Sequence, residues 1–382
     1  MKTVYLFSSS QGDVPLNQEM LGRPFLLEPF QPHPFMLLED YFVAIKDFML
    51  QKDGTPLTGI LSRIWGSQVV LGDIQKVLIR YEKYGSLYQI GSVEIIGAQN
   101  VCKFGVSMAL SPHSKVQMAV EYDAIEELNK LRYPDISYLP EMYLKSVIPV
   151  KRNEKVDTVV ISLFEWFEGY NEWHVKQHDD GSEQIIVWDF QNGYTYATDK
   201  QVYKIIQNAA MILTLYYNIQ NYSQIFPWHH GSGDFVAKFT EDKVDVRLIT
   251  VRGYGPLVLS DDREFIDPLK ALVVFFLSLT VKMRIDKDEG VGRPVWSNSI
   301  TPLPVIDGLL EGIKEQESKG MSPPDSADMV RHVLKGMDLE EIKTMLYSQL
   351  NSFRHIDPVD SQIIAEHLDM HAEEVFKAIK EI

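Results

Sequence analysis

The sequence predicts an α+β chain of two lobes, preceded by an N-terminal arm and followed by a helical appendage. Three observations predict it. Apolar and polar residues alternate from Val69 to Val106 and again from Tyr138 to Phe164, the period of β-strands. Beyond Phe164 the spacing lengthens to three and four residues, most plainly from Tyr203 to Tyr217, the period of a helix. The chain also has 382 residues, and at roughly 100 to 200 residues per domain two or three packed units are expected.

Residues 1–70 read as an arm and a helix. Pro24, Pro29, Pro32 and Pro34 alternate with Phe25, Phe30 and Phe35, and proline works against regular strand pairing. An extended arm packed over the main body is the commoner meaning of such a segment; a proline-rich ligand for a partner is the sharper one. An amphipathic stretch follows from Leu37 to Leu50. Residues 71–164 form the small lobe, an antiparallel sheet with one helix. Its strands carry Val77, Ile79 and Tyr81, then Leu87 to Val93, then Cys102 to Leu110. The helix, Ala119 to Leu131, places Val120, Ala124, Ile125 and Leu128 on one face, and strands at Tyr138–Val150 and Val156–Phe164 close the lobe.

Residues 165–300 form a larger, mainly helical lobe. The helix over Tyr203–Tyr217 leads into Phe226-Pro-Trp-His-His-Gly-Ser-Gly-Asp234, then two short strands at Phe235–Phe239 and Val244–Val251, then a buried helix at Asp267–Met283. Residues 301–382 read as a linker and an acidic helical unit, with 12 acidic against 6 basic side chains from Pro324 onward. Two short helices meeting across Leu368–Ala372 have the outline of a helix-turn-helix. Glu373, Glu374 and Glu381 outnumber Lys377 and Lys380 there, which opposes DNA reading.

Composition narrows the function classes. With 37 basic and 53 acidic side chains the net charge is −16, against a broad electrostatic grip on nucleic acid or an anionic membrane. The single cysteine, Cys102, allows neither an internal disulfide nor a thiolate-rich zinc cage, which suits a reducing compartment. The first residues lack the apolar run of an export signal, and Ala271–Val281 is shorter than the roughly 20 residues that cross a bilayer. A cytoplasmic protein is expected.

The order of strands, one helix, two strands, a connector, a long helix, a His- and Asp-bearing loop and a hairpin resembles the protein-kinase-like fold. The likeness is to its small-molecule branch, the aminoglycoside and choline phosphotransferases, over about Val77–Met283. Glu121-Tyr-Asp-Ala-Ile-Glu-Glu-Leu128 resembles the family's C helix, making Glu121 the partner of a phosphate-holding lysine. Leu163-Phe-Glu-Trp-Phe-Glu-Gly169 resembles the strand that passes into the adenine-binding linker, which implicates Glu165 and Trp166. Trp228 to Phe239 occupies the place of the catalytic loop.

The departures point to lost chemistry. Phosphoryl transfer requires magnesium ligands and a lysine. If Asp234 takes the metal-binding asparagine position, His229 stands where the catalytic aspartate belongs, and Thr250 replaces the second metal-binding aspartate. A second register makes Asp234 the base. Lys103 is the only substitute for the strand lysine, and Tyr84-Gly85-Ser86 has one glycine where phosphate-cradling loops use several.

Other constellations compete. His174 and His178 are spaced to chelate zinc on one helix face, with Asp179 or Asp180 as a third ligand; a solvated loop is the plainer reading. His229 and His230 with Asp234 form a second metal-binding pattern, and Ser232 with His230 a nucleophile and base. Phe164, Trp166, Phe167, Tyr170, Trp173 and Trp188 either line a cleft or pack one lobe. The expectation is a catalytically degenerate kinase-like scaffold for a small-molecule ligand or a protein partner. The alternative is an active ATP- and magnesium-dependent phosphotransferase using His229 or Asp234 as base, with Asp234 as metal ligand.

Overall fold

A computed structural model describes residues 1–9, 11–28, 31–85, 87–131, 138–189, 193–230, 233–240, 243–256, 267–356 and 358–382. The fold is α+β, built around a large mixed sheet. The chain divides into two compact units: residues 1–133 with 140–168, and residues 134–139 with 169–382.

The first unit begins with strands β1 (Lys2–Ser9) and β2 (Gly12–Pro15), a short helix α1 (Gln18–Leu21) and a hairpin of β3 (Pro24–Glu28) and β4 (Gln31–Leu37). Helices α2 (Leu38–Leu50) and α3 (Thr55–Trp65) follow, then β5 (Lys76–Tyr84), β6 (Gln89–Ile96), β7 (Val101–Ala109), α4 (Pro112–Lys130), β8 (Met142–Arg152) and β9 (Lys155–Glu165). One seven-stranded sheet has the order β2-β1-β5-β6-β7-β9-β8. Its pairs are antiparallel except β1 with β5, which run parallel with Lys2 opposite Lys76.

The first residues are therefore no arm draped over a body. Tyr5 and Leu6 pair with Ile79 and Arg80 inside the main sheet, and Pro24, Pro32 and Pro34 are confined to the separate two-stranded hairpin, where a missing N–H costs little. Pro29 and Phe30 lie outside the described residues. Strand alternation explains the layering. Phe104, Val106 and Met108 face the core built on Tyr41, Phe42, Ile45 and Phe48 of α2 and Leu57 and Leu61 of α3, each worth about 1.5–3 kcal/mol when a large apolar side chain is buried. Ala109 points the other way, onto Met118 of α4. Ser111 starts α4 by accepting from the Ser114 N–H at 3.1 Å.

The second unit contains a three-stranded sheet of β10 (Trp173–Gln177), β11 (Glu183–Asp189) and β12 (Gly193–Tyr196), then helix α5 (Asp199–Leu215). Strand β13 (Ser223–Ile225) leads to the hairpin β14 (Phe235–Phe239) and β15 (Val244–Leu248), and β16 (Tyr254–Pro256) pairs back on β13. Helix α6 (Pro268–Lys282), strands β17 (Ile285–Lys287) and β18 (Pro294–Trp296), and helices α7 (Leu303–Ser318), α8 (Ser326–Gly336), α9 (Leu339–Ile356) and α10 (Pro358–Glu381) complete it. Within residues 165–300, read from sequence as mainly helical, residues 173–196 pair as a three-stranded sheet.

The linker read at the start of residues 301–382 is not only a connection. It contains α7, whose Gly308 and Gly312 let it lie against α5: a Cβ at Gly308 would stand 2.2 Å from the Gln207 carbonyl oxygen. The expected turn across Leu368–Ala372 is likewise absent. No glycine or proline interrupts that segment, and Ile364, Leu368, Ala372, Val375 and Ile379 form one buried stripe along α10. Among the described residues no helix is long and apolar enough to cross a membrane.

Candidate functional site

The loop between β13 and β14 enters the interior of the second unit. Trp228 is 3% exposed, and His230 and Asp234 are each 1% exposed. The loop is closed by its own aspartate: the His229 backbone N–H donates to Asp234 Oδ2 at 2.7 Å. The Asp234 carbonyl then accepts from the Ile249 N–H at 2.8 Å, which ties the loop to the end of the hairpin.

Three of the residues singled out by sequence meet here. Thr250 donates its hydroxyl to Asp234 Oδ1 at 2.8 Å, and Arg252 donates through Nη2 to Oδ1 at 2.7 Å and through Nε to Oδ2 at 3.3 Å. With the His229 N–H, that makes four donors for a carboxylate that offers about four acceptor sites. Asp234 is thus fully engaged by its own chain, where a metal ligand or general base needs a free lone pair. Among the described residues no group of three or more His, Cys, Asp or Glu side chains is arranged to hold a metal ion. Thr250 serves as a donor to Asp234, and Gly231 and Ser232 lie outside the described residues.

The His229 ring turns toward α10, with Nε2 3.5 Å from Asp360 Oδ2. Lys282 Nζ reaches the same oxygen at 2.9 Å. Burial raises the Asp360 carboxyl, but the hydrogen bond to His229 and the Lys282 charge outweigh it and bring the pKa down to about 2. His229 Nδ1 is buried and without a hydrogen-bond partner.

Behind this loop lies a polar cluster that sequence reading missed. Asp286, fully buried, accepts from the Val175 and Lys287 N–H groups at 2.6 Å each. His174 Nδ1 lies 3.4 Å from Asp286 and Nε2 3.7 Å from Glu172. Burial opposes a charged imidazole, yet these two carboxylates overcome it and raise the His174 pKa. His230 behaves in the opposite way. Its Nε2 donates to the Met283 carbonyl at 2.9 Å, its Nδ1 stands 3.9 Å from Asp286, and burial pushes its pKa down to about 4.

A third buried histidine follows the same logic. Arg284 Nη1 donates to His371 Nδ1 at 3.1 Å. Arginine has no acceptor, so the ring proton sits on Nε2, 3.0 Å from the Thr280 hydroxyl oxygen. Burial first, then the Arg284 charge, lower the His371 pKa to about 3. Arg284 also pairs with Glu374. One signal for this cluster was present in the sequence: Lys282, Arg284 and Asp286 alternate with Met283 and Ile285 just after an apolar helix.

The zinc pattern does not assemble. His174 belongs to β10 and His178 lies just past its end, so on an extended chain four residues separate them by about 13 Å. His178 Nε2 instead pairs with Gln184 Oε1 at 3.0 Å. The aromatic residues of this unit pack: Trp173 stacks on His230 with ring centres 6.3 Å apart, and Trp188 lies on His174 at 4.6 Å.

The remaining predicted residues belong to the first unit. Lys103 on β7 holds its ammonium 4.2 Å from the centre of the Trp166 ring, a cation–π contact. Glu165, the last residue of β9, accepts from the Glu141 N–H at 3.1 Å. Glu121 is 6% exposed on α4. Gly91, in the strand after the expected phosphate turn, is needed for packing: a Cβ there would stand 2.4 Å from the Tyr41 hydroxyl. No protein-family model and no curated protein compared with the chain matches it.

Proposed function

We propose that the chain is a two-lobed, kinase-like protein that has given up phosphoryl transfer and acts as a ligand-binding or regulatory scaffold in the cytoplasm. Its element order supports the kinase-like part. Three antiparallel strands (β5, β6, β7), a helix (α4), two strands (β8, β9) and then, past the additional sheet β10–β12, a long helix (α5), strand β13, a loop bearing His229 and Asp234, and a hairpin (β14–β15) resemble the order of the family. This reading takes the first unit as the small lobe and the second as the large one.

The loss of chemistry rests on one observation, the four internal donors on Asp234. Catalysis of phosphoryl transfer consists of positioning and of cancelling charge with magnesium. A carboxylate held by a guanidinium, a hydroxyl and a backbone N–H has its charge already compensated, and magnesium, which demands near-ideal octahedral oxygen geometry, would have to displace them.

A thermal-shift titration tests this. A ligand that binds only the folded state raises the midpoint with its concentration. The scaffold predicts no magnesium-dependent rise with ATP. A rise that requires both ATP and magnesium, and that Asp234→Asn removes together with phosphate release, would establish the active phosphotransferase instead.

A further inference from the structure

The second unit has a cavity of about 320 Å³ far from this chemistry in its make-up. It lies between the start of β11, the first two turns of α5 and the segment that enters α7. Ile185, Ala197, Val202, Ile206, Ile300 and Pro304 give it apolar walls, and Glu183, Asp199 and Tyr203 are among its polar groups, with Gln184, Ser299 and Thr301. We infer that this cavity is a binding site for a compact monocation, an amine or quaternary ammonium carrying an apolar body.

Charge decides the ligand class. Glu183 and Asp199 supply two carboxylates, and among the described residues the lining contains no lysine, arginine or histidine. Two helix starts oppose them, each equivalent to roughly half a positive charge. The start of α5 is already served by its own Thr198–Gln201 capping box, and α7 begins with Pro302 and Pro304, which have no N–H to offer. With both helix starts spent in this way, the offset comes from the buried Arg284 guanidinium, which interacts electrostatically with Glu183; two negative charges against one leave roughly one negative charge. A phosphate or nucleotide is repelled, and one positive charge is matched.

The walls are built and held. Glu183 Oε2 accepts from the Asn298 and Ser299 N–H groups at 2.7 and 3.1 Å, which fixes the segment entering α7. Its other oxygen, Oε1, is buried with no hydrogen-bond partner, and the carboxylate interacts electrostatically with the Arg284 guanidinium. On the opposite side Tyr203 donates its hydroxyl to Asp307 on α7, joining the two helices that flank the opening. The volume is at the small end of the roughly 300–1,000 Å³ of ligand pockets, which suits a single ring or short chain. The inference does not depend on the kinase-like reading, because none of these residues belongs to the His229–Asp234 loop and no nucleotide is required.

Ligand-observed NMR saturation transfer on the full chain tests it, with benzylamine and cyclohexylamine as probes and benzoate as the isosteric anion. Both amines are expected to receive saturation and benzoate none. Asp199→Asn, an exposed substitution that keeps the fold, should weaken amine binding about fivefold, the loss of one charge about 4 Å away in water. Val202→Trp should fill the cavity and abolish binding. Equal transfer to benzoate, no transfer to either amine, or amine binding unchanged in Asp199→Asn would each overturn the assignment. Should Val202→Trp not fold, the Asp199→Asn comparison alone decides.

Discussion

Acid should weaken the second unit before its carboxylates titrate. His230 and His371 are held as neutral rings, with pKa values brought from 6.5 down to about 4 and about 3. Between pH 6.5 and 4 the unfolded chain binds a proton at each of these histidines and the folded chain does not. Stability therefore falls as pH falls, by about 1.4 kcal/mol per unit for each ring and about 2.7 kcal/mol for the two together. His174 has the opposite shift. Its folded pKa is raised, so its contribution is fully present below 6.5, adds no slope in the acid window, and is lost as pH rises through the folded value. The carboxylates of Asp286 and Asp360 are both lowered, so what they contribute is lost only in stronger acid. Urea unfolding at pH 7, 6 and 5 and constant ionic strength measures this. Tryptophan fluorescence is a suitable signal, because Trp173 stacks on His230 and Trp296 packs edge-on against His371 at 5.3 Å. From pH 6 to pH 5 a loss of about 2–3 kcal/mol is expected, and His371→Gln, which removes one of the two protons, should halve that slope. Equal stability at the two pH values, or an unaltered slope in both His371→Gln and His230→Gln, would refute the reasoning.

Further outcomes follow from the same contacts. Arg252→Met removes two donors from a carboxylate that is 1% exposed; because the Arg252 side chain is itself 21% exposed, the cost should be at the low end of the usual range, about 3 kcal/mol, and adding Asp234→Asn should restore part of it in a double-mutant cycle. Gly308→Ala drives a methyl group into the Gln207 carbonyl and should lower stability by about 1–3 kcal/mol through the α5–α7 contact, seen as faster hydrogen exchange in both helices. Burial pushes the Cys102 thiol up to about 11, so its reaction with a disulfide reagent at pH 8 should be far slower than that of a free thiol, and urea should restore the ordinary rate.

Periodicity made most of the first unit's main sheet legible because one face of it is dry. Phe104, Val106 and Met108 must share a side, and any one-residue slip would expose them all. Nothing local marked Lys2–Ser9 as a strand of that sheet. Its parallel partner, Lys76–Tyr81, is about seventy residues away, and the prolines between them, which argue against pairing, belong to a hairpin of their own. The histidine–aspartate loop was found by residue type, but its partners were not. Lys282, Arg284 and Asp286 read as the end of a helix and the start of a connection, and only the fold brings Asp360, Glu374 and His174 to them. Pairings across that distance leave no periodic trace in either segment.

Under the kinase-like reading proposed above, the Asp234 geometry also accounts for the residues that depart from an active loop. In sequence terms Thr250 is a missing acid, but in the structure it is a donor, and the next residue but one, Arg252, is another. An aspartate at position 250 would place a second carboxylate against Asp234 in a buried setting, where like charges resist joint ionisation unless a metal neutralises them. A hydroxyl and a guanidinium at 250 and 252 remove the need for that metal and turn Asp234 into a strut that fixes the loop. His229 follows from the same arrangement. With its backbone N–H committed to Asp234 and its ring directed at Asp360, it joins the loop to α10, so His229 and Asp234 together hold the second unit's loop in place.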